Sequence, residues 1–92
     1  MKAQIHNYAS WINKTEPKWL DNYFTKLLND AGFNILNKSE NHFKPQGYTV
    51  LYLLSESHLA IHTFPECKET YIELSSCVKK PFDNFIKNLN NL

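Results

Sequence analysis

The stretch Tyr48–Cys77, "YTVLYLLSESHLAIHTFPECKETYIELSSC", decides the fold. Tyr48–Leu54 is rich in aromatic and branched residues, the composition of a central strand. Ser57–Phe64 reads as a second strand, "PECKE" (65–69) as a turn, and Thr70–Cys77 as a third strand with Ile72 and Leu74 as its apolar part. Together they make an antiparallel series. Upstream, "KPQG" (44–47) is a turn, and Phe33–Phe43 alternates at Phe33 and Ile35 as a strand does. Before it, Trp19, Leu20, Tyr23, Phe24, Leu27, Leu28 and Ala31 recur at helical spacing. Thr15 is the expected N-cap of that helix, Pro17 falls in its first turn, and Gly32 is the expected left-handed end. Residues 2–8 carry a weaker strand signal. Downstream, Pro81 is expected to start a last helix, with Phe82, Phe85, Ile86, Leu89 and Leu92 facing inward.

The expected order is β-α-β-β-β-β-α. Helices that bookend a run of strands predict an α+β fold: a two-layer α/β sandwich, mainly antiparallel, with two helices on one sheet face. No repeat, low-complexity tract or linker interrupts residues 1–92, so a single domain is expected.

Composition narrows the function classes. Hydrophobic residues make up 42% and charged residues 21%, which excludes a disordered chain. A formal net charge of +1, with scattered lysines, gives no general electrostatic case for nucleic acid or an anionic membrane. No apolar stretch is long enough to span a bilayer. The start, "MKAQIHNYASW", has no apolar h-region, so no signal peptide is expected and the cytoplasm is the expected compartment. Cys67 and Cys77 are then expected as free thiols. His58 and His62 share one face of a strand, yet with the cysteines they make no clear ligand set, so no metal is expected.

The polar residues of interest gather on the last two strands and their turn. Ser57, His58, His62, Glu66 and Cys77 converge if those strands pair, and a serine, a base and a thiol together point to nucleophilic or acid–base chemistry. A Ser-His-Asp hydrolase would need a G-x-S-x-G elbow and a third member, and the sequence has neither. Residue chemistry alone leaves a bland alternative open, since strand histidines and serines are commonly satisfied by the backbone.

"ESHLAIHTFPE" (56–66), followed eleven residues on by Cys77, resembles the signature of the prokaryotic S-adenosylmethionine decarboxylase family. "HFKPQG" (42–47) is similar to the family's segment before the central strand. The resemblance runs from about Asn41 to Cys77; the first forty residues match only in their β-α layout. It implies a proenzyme that cuts its own Glu56–Ser57 bond. Ser57 Oγ would attack the Glu56 carbonyl, and β-elimination and hydrolysis would leave a pyruvoyl group made from Ser57. That group would hold the substrate amine as a Schiff base and withdraw electrons as the carboxylate leaves. The resemblance further implies that His62 serves the elimination step, as its ordinary near-neutral pKa suits. It gives Cys77 the return of a proton to the product, Glu66 the ribose hydroxyls, and Phe43 the adenine ring. Thr49 stands where the family has a processing serine. Phe64 stands where the family often has Trp and is read as packing.

On a regular strand Ser57 and His62 point to opposite faces, so the freed end at Ser57 is expected to curl toward the site. There are departures from the family pattern. "CKETY" replaces a glycine- and tyrosine-rich turn, Val78 stands where a glycine is usual, and the chain is expected to lack the family's final strand. Three functions follow from the resemblance. The first is S-adenosylmethionine decarboxylation, which supplies the aminopropyl donor for spermidine. The second keeps the chemistry but acts on ornithine or arginine. The third is a non-processing binding or regulatory relative. The family's habit and the small core imply a homodimer.

Overall fold

The computed structural model describes residues 2–90 and 92. Among them run β1 (His6–Ile12), α1 (Pro17–Ala31), β2 (Ile35–His42), β3 (Tyr48–Leu54), β4 (Ser57–Phe64), a single 3-10 turn (Pro65–Cys67), β5 (Glu69–Ser76) and α2 (Lys79–Leu89). The five strands form one antiparallel sheet in the order β1-β5-β4-β3-β2. This is the expected order and layering. β1 lies later than the expected residues 2–8. Its inward positions are His6, Tyr8, Ser10 and Ile12, and their mixed polarity blurs the alternation.

The period of two sorts the side chains. Tyr48, Val50, Tyr52 and Leu54 of β3 face the helices with Leu59 and Ile61 of β4 and Ile72 and Leu74 of β5. Leu20, Phe24, Leu27 and Leu28 of α1 and Phe82, Phe85 and Leu89 of α2 cover them, with the Phe24 and Phe85 rings 6.2 Å apart. Among the described residues no helix covers the other face, which carries Thr49, Leu51, Leu53, His58, Ala60, His62 and Tyr71.

Helix ends differ from expectation in three places. Glu16, not Thr15, is the N-cap of α1: its longer side chain reaches the free N–H groups of Lys18 and Trp19, at 3.2 and 2.8 Å. At the other end Gly32 has φ 108°, and Phe33 N–H closes the turn on Leu28 C=O at 3.0 Å. α2 starts at Lys79, two residues before Pro81, which still falls in the first turn where its missing N–H costs little. Leu92, expected inward, is exposed beyond the helix end.

Candidate active site

The predicted site residues form two groups at opposite ends of the sheet. At one end β3 and β4 are joined by the two-residue turn Ser55–Glu56, with Leu54 paired to Ser57. Glu56 adopts φ +58°, a left-handed conformation that costs a non-glycine residue about 1 kcal/mol or more. The strain lies at the residue before Ser57. Beside the turn, Cys77 extends β5, and its thiol donates to the Glu56 carbonyl with Sγ 3.5 Å from the oxygen. Ser57 is buried on the helix side, where its hydroxyl meets Ser76 Oγ at 2.7 Å. A shallow depression lined by Ile5, Leu53, Glu56, His58, Ser75 and Cys77 adjoins the turn.

The second group sits toward the other end of β4. His62 pairs across the open face with Thr49, Nδ1 to Oγ1 at 2.9 Å. Glu66 lies exposed in the 3-10 turn. Phe43 is 53% exposed and shares a depression with Pro65, Thr15 and Gln46. Its backbone N–H is held by Gly47 C=O at 2.8 Å. Phe64 packs on the uncovered face rather than in the core, its ring 5.8 Å from that of Trp11.

One chain therefore does not bring its candidate residues together as expected. Glu56, Ser57 and Cys77 meet; His62, Thr49, Glu66 and Phe43 lie elsewhere. Ser57 and His62 occupy opposite faces, and five residues of strand separate them by about 17 Å. In the uncut chain Ser57 is paired with Leu54 and Ser76 and does not curl toward His62.

Two features carried no sequence signal of their own. Ser76, opposite Ser57 in the register, is one. The other is a polar network between α1 and β2. Tyr52 donates to Asp21 at 2.5 Å, Tyr48 to Glu40 at 2.5 Å, and Lys38 bridges to Asp21 at 2.8 Å. Partial burial pushes the Asp21 carboxyl up, but hydrogen bonds from Lys38 and Tyr52 win and hold it below its usual value. The bond to Asp21 raises the Lys38 amine. Burial first, then the carboxylates beside them, drive the Tyr48 and Tyr52 phenols far above their ordinary range.

Among the described residues no group of three or more His, Cys, Asp and Glu could hold a metal, and Cys67 and Cys77 are free thiols. No helix of the described residues is long and apolar enough to cross a membrane.

Sheet, helices and turn define a two-layer antiparallel sandwich in which a serine, a thiol and a left-handed residue meet at the β3–β4 hairpin. Residues 11–91 match the family model described as S-adenosylmethionine decarboxylase, and the chain belongs to that family. It is 42% identical over 59 residues to S-adenosylmethionine decarboxylase proenzyme 2 of Bacillus cereus, which covers 64% of this chain and 48% of that protein. It is 43% identical over 53 residues to the S-adenosylmethionine decarboxylase proenzyme of Prochlorococcus marinus, covering 58% and 42%. The chain thus spans about half the length of the curated relatives it matches. The crystal structure of the adenosylmethionine decarboxylase from Aquifex aeolicus has the same fold, with a TM-score of 0.71 at 21% identity over 94% of this chain and 79% of that one.

Proposed function

We propose that residues 1–92 act as one S-adenosylmethionine decarboxylase-like domain that cuts itself between Glu56 and Ser57 and then decarboxylates S-adenosylmethionine. One observation carries this reading. The Glu56–Ser57 bond sits in a two-residue turn with a left-handed Glu56, and the end of β5 contacts both sides of it: Cys77 the carbonyl, Ser76 the hydroxyl. That the relatives are named proenzymes agrees with a chain made to be processed.

Each residue has a task. Ser57 Oγ attacks the Glu56 carbonyl carbon, forming an ester and freeing the Ser57 nitrogen as an amine. Loss of the Ser57 α-proton by β-elimination releases residues 1–56 as a carboxylate. Hydrolysis of the dehydroalanine, with loss of ammonia, caps residues 57–92 with a pyruvoyl group. The residues fit that group, because its precursor is in place and a thiol and a depression lie beside it. It supplies an electron sink for an amine substrate losing its carboxylate. Cys77 is positioned to return a proton there. Glu66 binds the ribose hydroxyls, Phe43 stacks on adenine, and Thr49 orients His62, which takes part in the elimination.

The split site calls for a second copy. A two-fold pairing of the uncovered faces would bring the His62 end of one sheet to the backbone of the Glu56–Ser57 turn of the other, on the face opposite the Ser57 hydroxyl. The uncovered face suits such pairing: Trp11, Leu51, Leu53 and Phe64 expose large apolar surface there. The functional unit is accordingly a homodimer.

Intact mass under denaturing conditions tests the reading. The expected result is two fragments, 1–56 and 57–92, the second reacting with a carbonyl reagent. Release of CO2 from labelled S-adenosylmethionine, with ornithine and arginine alongside, then fixes the substrate. A single chain that stays uncut for days would sink the proposal.

A further inference from the structure

The Ser57 hydroxyl is held from across the sheet. Ser57 is 8% exposed, and the register sets it opposite Ser76, which is 2% exposed. Ser57 Oγ donates to Ser76 Oγ at 2.7 Å. Ser76 Oγ also accepts from Val78 N–H at 3.0 Å and donates to Val78 C=O at 3.3 Å. A hydroxyl has one proton and two acceptor lone pairs. With the Ser76 proton on Val78 C=O, these three contacts use Ser76 fully and Ser57 is the donor of the first. The next residue, Cys77, reaches the Glu56 carbonyl. Consecutive residues of one strand end thus hold the two groups that must react.

We propose that Ser76 is a positioning residue for self-cleavage, holding Ser57 in the rotamer from which its oxygen attacks the Glu56 carbonyl. The proposal rests on the reading that this bond is cut. In the step itself Ser57 Oγ bonds to the Glu56 carbonyl carbon, the bond from that carbon to the Ser57 nitrogen breaks, and the hydroxyl proton ends on that nitrogen. Ser76 takes no part in the covalent change. It engages the Ser57 proton and leaves the lone pairs for attack. It also fixes one of three staggered side-chain positions in advance. A buried hydroxyl with all its capacity satisfied is well suited to this, because no competing partner can turn it.

The full chain is made by pulse-labelled cell-free synthesis, and its conversion to 1–56 and 57–92 is followed by mass, with and without hydroxylamine. Hydroxylamine cleaves the ester but not the amide. Ser76→Ala should slow cleavage about 10²-fold, the scale on which misplacement slows a reaction. Hydroxylamine should not restore the rate, since the ester does not form. Ser76→Thr keeps the hydroxyl and should cleave close to the parent rate. Cleavage of Ser76→Ala at the parent rate would overturn the proposal, and so would full rescue by hydroxylamine, which would place Ser76 after the attack. If melting followed by circular dichroism shows that Ser76→Ala does not fold, Ser76→Cys decides: its weak hydrogen bonding should leave cleavage slow, and parent-rate cleavage overturns the idea. A parent chain that never cuts would defeat the self-cleavage reading and this proposal with it.

Discussion

Replacing Ser57 by alanine removes the oxygen that would attack Glu56, so Ser57→Ala should remain one chain of 10.8 kDa. Cys77→Ala should still be cut, while turnover falls about 10²- to 10⁴-fold with loss of the proton donor. Full decarboxylase activity in either variant would overturn that residue's role. The polar network makes a separate prediction about stability. Tyr48 and Tyr52 keep their protons above the ordinary value of 10.0, so above that pH the unfolded chain binds fewer protons than the folded one. Their contribution is full below pH 10 and declines as pH rises beyond it. Asp21, held low, has the opposite sign: its contribution is present above its ordinary value of 3.8 and is lost as pH falls below it. Urea midpoints across pH should show both limbs, and Tyr52→Phe should flatten the alkaline one. An unchanged alkaline slope would rule out this source. Sequence pointed to the bond proposed to be cut because the family motif spells out Glu56 and Ser57. It did not reveal Ser76 or Asp21, because a strand serine or a helix aspartate acquires meaning only from the strand or ring opposite.

At the scale of elements, the ends of α1 should carry measurable stability. Glu16→Ala unties two backbone N–H groups and should cost about 1 kcal/mol. Gly32→Ala meets only ordinary contact with Pro81, yet φ 108° strains any residue with a Cβ, so about 1 kcal/mol or more should be lost. Thr15→Ala should change little. Each kcal/mol corresponds to about 4–8 °C in a domain this small, so thermal melts separate the three; a larger drop for Thr15→Ala than for Glu16→Ala would contradict the cap assignment. Element order was legible because both helices have clean periods and β3 is rich in aromatic and branched residues bounded by turn signals. Element ends were less so. Threonine is the commoner cap by type, but reach decided for Glu16. The β1 boundary slipped because His6 and Ser10 occupy inward positions where an apolar pattern is expected.

For the whole molecule, the decisive fact is that the Ser57 end and the His62 end of β4 lie on opposite faces and about 17 Å apart. If both serve one cleavage, they come from different copies. Ser57→Ala chains keep His62 but lack the hydroxyl proposed to attack; His62→Ala chains keep that hydroxyl but lack the proposed base. Each alone should stay uncut. Mixed during synthesis, the His62→Ala chain should be cut while the Ser57→Ala chain stays whole, and isotope labelling of one of them tells the two apart by mass. Half of randomly formed dimers are mixed, which bounds the yield, and each mixed dimer holds one competent pairing. Leu51→Lys and Leu53→Lys, on the uncovered face, should abolish this rescue by placing charge where the proposed pairing would bring the sheets together. Light scattering on the same samples should show a dimer for the parent and a monomer for the lysine variants. If the mixture stays uncut although parent chains cut themselves, His62 acts within its own chain or not at all. If the lysine variants still cut as monomers, one chain suffices, and the paired faces are not part of the site.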